Sequence, residues 1–182
     1  MEHRIIIGGF GGQGILFLGK ILAYAGMLEG KEVTWFPSYG AEMRGGTTNC
    51  TVIISDELIG SPVVTNPDIL ILMSDASLTK FQPRLKQNGL LTFDLSLIKE
   101  PALRADIEAV GVPATEISSK IGNTKSANMV LLGAVIAKTK LLKETSVFEA
   151  IESSMPARKK KNIEINKKAI IEGIRYIEDK KG

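Results

Sequence analysis

Ile5-Ile6-Ile7-Gly8-Gly9-Phe10-Gly11-Gly12-Gln13-Gly14 passes from an unbroken β-branched run into glycines and then directly into an apolar segment, Ile15 to Leu28. That succession reads as a strand covered on both faces, a tight turn and a buried helix, the middle of an α/β sandwich. From Gly9 the glycines fit G-x-G-x-x-G, in which the backbone can approach a ligand's phosphates and offer amide N–H groups at a helix N-terminus. The same glycines also serve close helix–strand packing alone. The residues beyond the turn have to decide between these roles.

Downstream, Gly30 ends the helix, and Glu32-Val33-Thr34-Trp35-Phe36 reads as a second strand stopped by Pro37, completing a βαβ unit. A long polar loop, Ser38 to Gly46, leads into a strand over Thr47 to Ser55 with Cys50, Val52 and Ile54 on one face. Asp56 to Asp68 carries Gly60, Pro62 and Pro67 and reads as a turn with a short extended piece. Ile69 to Met73 is a further buried strand, and Ser74, Asp75 and Ser77 can cap the helix after it. Leu90 to Phe93 is another strand, and Ile107 to Val110 with Pro113 to Ile117 suggests one more. Helices come next over Asn128 to Lys138, over Glu144 to Ser154 as an exposed helix, and over Ile163 to Ile177 with Ile170, Ile174 and Ile177 on one stripe. Alternating strands and helices predict a Rossmann-like, doubly wound, mostly parallel sheet with helices on both faces. The expected organisation is one α/β domain over residues 1–182, with C-terminal helices in 144–180 packing on it.

Composition narrows the function classes. The hydrophobic fraction of 44% suits a soluble globular protein, and 23 basic against 20 acidic residues leave a net charge of +3, too balanced to imply nucleic acid or membrane as partner. Cys50 is the only cysteine, so this chain forms no internal disulfide and cannot itself supply the thiolates of an iron–sulfur cluster. With no signal-like segment after Met1 and no apolar run near the roughly 20 residues of a membrane span, a cytoplasmic location is expected.

The chemistry is sparse. A dinucleotide site wants an acid at the end of the second strand, and Phe36, Pro37 and Ser38 stand there, the nearest acid being Glu42 inside the loop. Arg44-Gly45-Gly46 presents a guanidinium fork beside two flexible residues, suited to a phosphate, a carboxylate or a partner's acidic side chain, and also readable as a surface turn. Tyr39 and Glu42 can fix that arginine or contact a partner. The only histidine, His3, should start the first strand, opposite the glycine turn, so it cannot act as base there. Asp75 and Asp94 come after strands, where helix capping explains them as well as ligand contact does. Arg158-Lys159-Lys160-Lys161 lacks interleaved aromatics and reads as a solvated linker.

Three segments together carry a family resemblance: Gly9 to Gly14; Pro37-Ser38-Tyr39-Gly40-Ala41-Glu42-Met43-Arg44-Gly45-Gly46; and Asn128-Met129 with Leu132-Gly133-Ala134. They resemble the gamma subunit of 2-oxoacid:ferredoxin oxidoreductases. Ser61-Pro62, Pro67-Asp68, Asn166, Ala169 and Gly173 extend the similarity over essentially the full chain, and the loop with Arg44-Gly45-Gly46 and Thr48-Asn49-Cys50 is more similar to the 2-oxoglutarate and branched-chain types than to the pyruvate type. Ala41 departs from the proline of many relatives, which bears on the loop's stiffness. The resemblance implies an enzyme that decarboxylates a 2-oxoacid on thiamine diphosphate and Mg, reduces ferredoxin through iron–sulfur clusters and transfers the acyl group to coenzyme A. Those cofactors would sit on alpha, beta and sometimes delta subunits, with no catalytic or metal-ligating residue expected on this chain. Its own contribution would be a ligand edge of Gly9, Gly11, Gly12, Gln13, Gly14, Arg44, Gly45 and Gly46, and subunit contacts through Tyr39, Glu42 and Arg44. The rival readings are a stand-alone nucleotide-binding or NAD(P)-dependent Rossmann-type protein and a purely structural interaction subunit.

Overall fold

The computed structural model describes residues 1–38, 47–99, 101–156, 158 and 160–180. Six strands form one sheet: β1 (Glu2–Phe10), β2 (Glu32–Ser38), β3 (Thr47–Ser55), β4 (Ile69–Leu72), β5 (Leu90–Asp94) and β6 (Glu108–Val112), in the order β2-β3-β1-β4-β5-β6. Pairings β1–β4, β4–β5 and β5–β6 are parallel, whereas β3 runs antiparallel to both β1 and β2. Ile5, Ile6 and Ile7 are fully buried at the centre of this sheet, as a strand covered on both faces requires.

The βαβ unit expected at the start takes a different form. β3 matches β1 residue for residue, from Glu2 opposite Ser55 to Phe10 opposite Thr47, and so occupies the edge that β2 would have taken. β2 pairs instead with the far side of β3 and becomes the edge strand. This position also explains why Pro37 does not stop it: β2 continues to Ser38, and an edge strand tolerates a residue without an N–H.

Among the described residues the α-helices are α1 (Ile15–Leu28), α2 (Asp75–Phe81), α3 (Ala114–Ile121), α4 (Ala127–Thr139), α5 (Glu144–Ser154) and α6 (Lys160–Asp179). The segment Pro113 to Ile117, expected as strand, opens α3 instead. Pro113 stands at its N-cap, and the buried carboxylate of Asp94, at the end of β5, accepts from the Thr115 amide and hydroxyl, so a β-branched stretch is turned into a helix start by a long-range cap. Nor is α5 an exposed helix: Val147, Ala150 and Ile151 are buried against the large core beneath α1. Lys160 and Lys161 of the basic run belong to the first turn of α6, both exposed.

The core has two unequal layers. On one face, Ile5, Ile7, Cys50, Val52, Ile54, Ile69 and Ile71 meet residues of α1, α4, α5 and α6. On the other, Ile6, Ile53, Leu70, Leu72, Leu91 and Phe93 are covered by α2, with Leu78 and Phe81, and by loop residues such as Val64, Leu85 and Ile98. The thick layer depends on one close approach. A side chain at Gly133 of α4 would run into the Ile170 carbonyl, and one at Gly173 of α6 into the Val130 carbonyl, so the two helices touch backbone to backbone through reciprocal glycines. Nearby, the Ser126 hydroxyl donates to Asn166 Oδ1 at 3.1 Å, pinning the start of α4 to α6 inside the core.

Candidate functional site

The glycine turn stands at the carboxyl end of β1, beside the carboxyl end of β4 and the N-terminus of α4. There the path diverges, one helix leaving β1 over the thick layer and another leaving β4 over the thin one, and open α/β sheets bind ligands at such divergences. Gln13 closes the turn. Its Oε1 accepts from the Phe10 amide at 2.6 Å and its Nε2 donates to the Met73 carbonyl at 3.0 Å, while the Met73 amide donates to the Gly8 carbonyl at 2.9 Å. Gly14, at φ 74°, is the left-handed residue that begins α1, and its carbonyl accepts from Leu18 N at 2.9 Å and from Asn128 Nδ2 at 3.0 Å. Asn128, 3% exposed, is thereby a brace between α4 and the turn. A polar residue opening an otherwise apolar helix is the signal by which that brace can be found in the sequence.

The glycines of the motif divide into inward and outward positions. A side chain at Gly9 would collide with Gln13 and Ile15, and one at Gly14 with the Asn128 amide, so these two serve packing. Gly12, at φ 92°, has open space where a side chain would be, and Gly11 faces only Thr48 Oγ1, 3.9 Å away. The start of α1 has no side-chain cap and no acidic residue in its first turn. Its amides therefore present partial positive charge at the open part of the turn.

The partner loop is anchored at the same end of the sheet. Ser38, the last residue of β2, lies opposite Asn49, and Thr47, the first of β3, lies opposite Phe10. Tyr39, Glu42, Arg44, Gly45 and Gly46 lie outside the described residues.

The remaining candidates do not converge on this edge. His3 pairs with Ile54 at the other end of β1, about 23 Å from Phe10 by strand rise, and burial lowers its pKa. Cys50 is wholly buried, and burial pushes its thiol up to about 12 despite the Trp35 hydrogen bond, so it is no nucleophile. Asp94 does reach the ligand end of the sheet, but its carboxylate is spent on Ser96 and Thr115. Asp75 comes directly after Ser74, whose hydroxyl caps α2 by accepting from Ser77 N at 3.2 Å. Among the described residues no group of three or more His, Cys, Asp or Glu side chains is placed to hold a metal ion. A dinucleotide is also poorly served. Its ribose would need an acid on a second strand beside β1, and here β3 fills that place with Thr47, Thr48 and Asn49 at its near end.

The chain is similar over its length to known proteins. The family model for pyruvate ferredoxin/flavodoxin oxidoreductase matches residues 4–176. Ketoisovalerate oxidoreductase subunit VorA of Methanothermobacter thermautotrophicus is 39% identical over 176 residues, which cover 96% of this chain but only 36% of that one. This chain thus spans about a third of the length of those relatives. The 2-oxoglutarate synthase subunit KorC of Methanothermobacter marburgensis is 36% identical, with 95% of this chain and 99% of that one aligned. Among solved structures, the gamma subunit of a keto/oxoacid ferredoxin oxidoreductase from Geobacter sulfurreducens superposes with a TM-score of 0.83 at 29% identity, over 96% and 98% of the two chains. The same fold, at 22% identity and a TM-score of 0.89, covers 98% of this chain and 31% of a longer chain in the 2-oxoglutarate:ferredoxin oxidoreductase of Magnetococcus marinus, a structure with 2-oxoglutarate, coenzyme A and succinyl-CoA bound. With a sequence match reaching from residue 4 to residue 176, this chain belongs to the pyruvate ferredoxin/flavodoxin oxidoreductase family.

Proposed function

We propose that this chain is the gamma-type subunit of a cytoplasmic 2-oxoacid:ferredoxin oxidoreductase of the 2-oxoglutarate type, which converts a 2-oxoacid and coenzyme A to acyl-CoA, CO2 and reduced ferredoxin. The observation that carries this reading is the end-to-end match to a 2-oxoglutarate synthase subunit KorC, covering 99% of that relative. The glycine edge supports it, since its open amides suit an anionic ligand.

One buried cysteine does not fit an iron–sulfur cluster, which needs several thiolates, so the clusters and the thiamine diphosphate with its Mg belong in this reading to alpha and beta chains, and to delta where present. On those chains thiamine diphosphate supplies the carbanion chemistry of decarboxylation and the clusters carry electrons to ferredoxin. This chain's residues then bind and orient. The amides of Gly11, Gly12 and the first turn of α1, with the Arg44 guanidinium flanked by Gly45 and Gly46, take a phosphate of coenzyme A. Gln13, Gly9 and Gly14 hold the turn in shape, and Tyr39 and Glu42 contact the neighbouring chain.

The test is an assay of the complex purified from its native cell. Ferredoxin reduction that requires both 2-oxoglutarate and coenzyme A is expected. Arg44→Ala should raise the KM for coenzyme A more than that for the oxoacid, and an unchanged coenzyme A KM would reduce this edge to a subunit contact. NAD(P) reduction by the lone chain would replace the reading with a stand-alone dehydrogenase.

A further inference from the structure

The thin layer leaves part of the sheet without a helix. Cross-strand register puts Phe10 beside Thr47, and Phe36 beside Thr51, on the face shared with Ile6 and Ile53. No helix of the described residues covers β2 and β3 there, because α2 lies over β1 and β4. The chain passing above them adds apolar surface: the Thr51 hydroxyl reaches the Pro62 carbonyl at 3.5 Å, and the same segment presents Leu58 and Val63 to solvent. Leu58 is 88% exposed, Val63 66%, Phe36 56% and Phe10 44%. Large apolar groups thus run along this layer, from Phe10 at the glycine-turn end through Phe36 and Val63 to Leu58 beyond Ser55 at the other, and such exposed groups mark a surface that another chain covers.

The relatives say which kind of chain. The same unit is 36% of the single polypeptide of VorA relatives and 99% of a separate KorC subunit. Where it is fused, about two-thirds of the polypeptide lies outside this unit, within reach of the face in one molecule; where it is free-standing, that remainder is not in the same polypeptide. The patch also adjoins the ligand edge, since Phe10 opens the glycine turn and Phe36 lies two residues before the end of β2.

We infer that the Phe10, Phe36, Leu58 and Val63 face is the docking surface for a separate, non-identical chain equivalent to the remainder of the fused relatives, and that it seats the glycine edge against that chain. The inference rests on the subunit reading above and names the face that reading uses. Its partner surface is apolar and takes the phenylalanines in pockets, with the exposed backbone of edge strand β2 at its rim.

The experiment is affinity purification from the native cell of tagged wild-type chain, Leu58→Glu, Phe36→Glu and, on the opposite layer, Met27→Glu, a residue 59% exposed on α1. Thermal melting of each isolated chain runs alongside; Leu58, almost wholly in solvent, keeps the test sound if Phe36→Glu unfolds. The expected result is loss of the co-purifying chains in the Leu58 and Phe36 variants, with wild-type melting for Leu58→Glu, and retention in Met27→Glu. Full assembly of Leu58→Glu and of a folded Phe36→Glu, or loss in Met27→Glu alone, overturns the inference and leaves the subunit reading standing. A self-associated dimer broken by the same variants overturns it in favour of a second copy. Wild type that binds no other chain removes both.

Discussion

The two faces of the sheet are built to different standards. On one, α1, α3, α4, α5 and α6 pack so closely that α4 and α6 meet backbone to backbone; on the other, one short helix and several loops leave Phe10 and Phe36 in solvent. The difference teaches where stability and association reside. The thick layer carries the core, and changes there should appear in the folding free energy. The thin layer has a smaller core of its own around Ile6, Leu70 and Phe81, but its exposed Phe10, Phe36, Leu58 and Val63 add little to folding, and on the docking proposal changes at those four should appear in assembly.

The sharpest way to break that comparison is at the helix crossing. Gly173→Ala and Gly133→Ala each force a methyl group into a carbonyl of the facing helix, and each should cost about 3 kcal/mol, measured by urea unfolding. A cost near zero would mean the layers do not differ in the way described. Next in size is the turn itself. Gly14→Ala meets both a left-handed backbone and the Asn128 amide and should lose about 2 kcal/mol, whereas Gly12→Ala meets only the backbone and should lose about 1 kcal/mol. Equal losses would deny Asn128 its bracing role. On the thin layer, Leu58→Glu should shift stability by no more than about 0.5 kcal/mol, so any large effect on the assembled enzyme is one of docking.

The smallest effects lie at the end of the sheet away from the ligand edge. Asp56, held at about 2 chiefly by its hydrogen bond from Lys31, contributes stability that is present above the ordinary carboxylate range near 4 and lost as pH falls towards 2. Asp56→Asn should flatten that acid limb in melting curves without altering stability's pH dependence above about pH 5. His3, lowered by burial, works in the same direction at higher pH: its contribution is full above its unfolded value near 6.5 and declines as pH falls through the lower folded value. His3→Gln should remove that slope alone.

How much of this was legible in the residues depended on how local the cause is. The β1–turn–α1 start, the buried Cys50 on an alternating strand and the helices expected over residues 128–138 and 144–154 arise from periodicity and glycine placement, and were readable, though not the burial of the second helix. The place of β2 was not, because it is decided by β3 taking the whole edge of β1, a long-range competition that neither strand displays. The start of α3 was hidden for a similar reason: its cap is Asp94, 21 residues upstream of Thr115. At the candidate site the motif was plain, but its division was not. Only the spatial neighbours Gln13 and Asn128 separate the glycines that pack, Gly9 and Gly14, from those that face outward, Gly11 and Gly12.

On the function proposed above, this chain shapes and seats a site whose reactive groups sit on other chains. The most direct test is to isolate the tagged chain from its native cell and analyse what accompanies it. The expected result is partner chains carrying thiamine diphosphate and iron–sulfur clusters, with ferredoxin reduction by 2-oxoglutarate and coenzyme A in that fraction and none in the lone chain. Recovery of the chain by itself as an active oxidoreductase would contradict it.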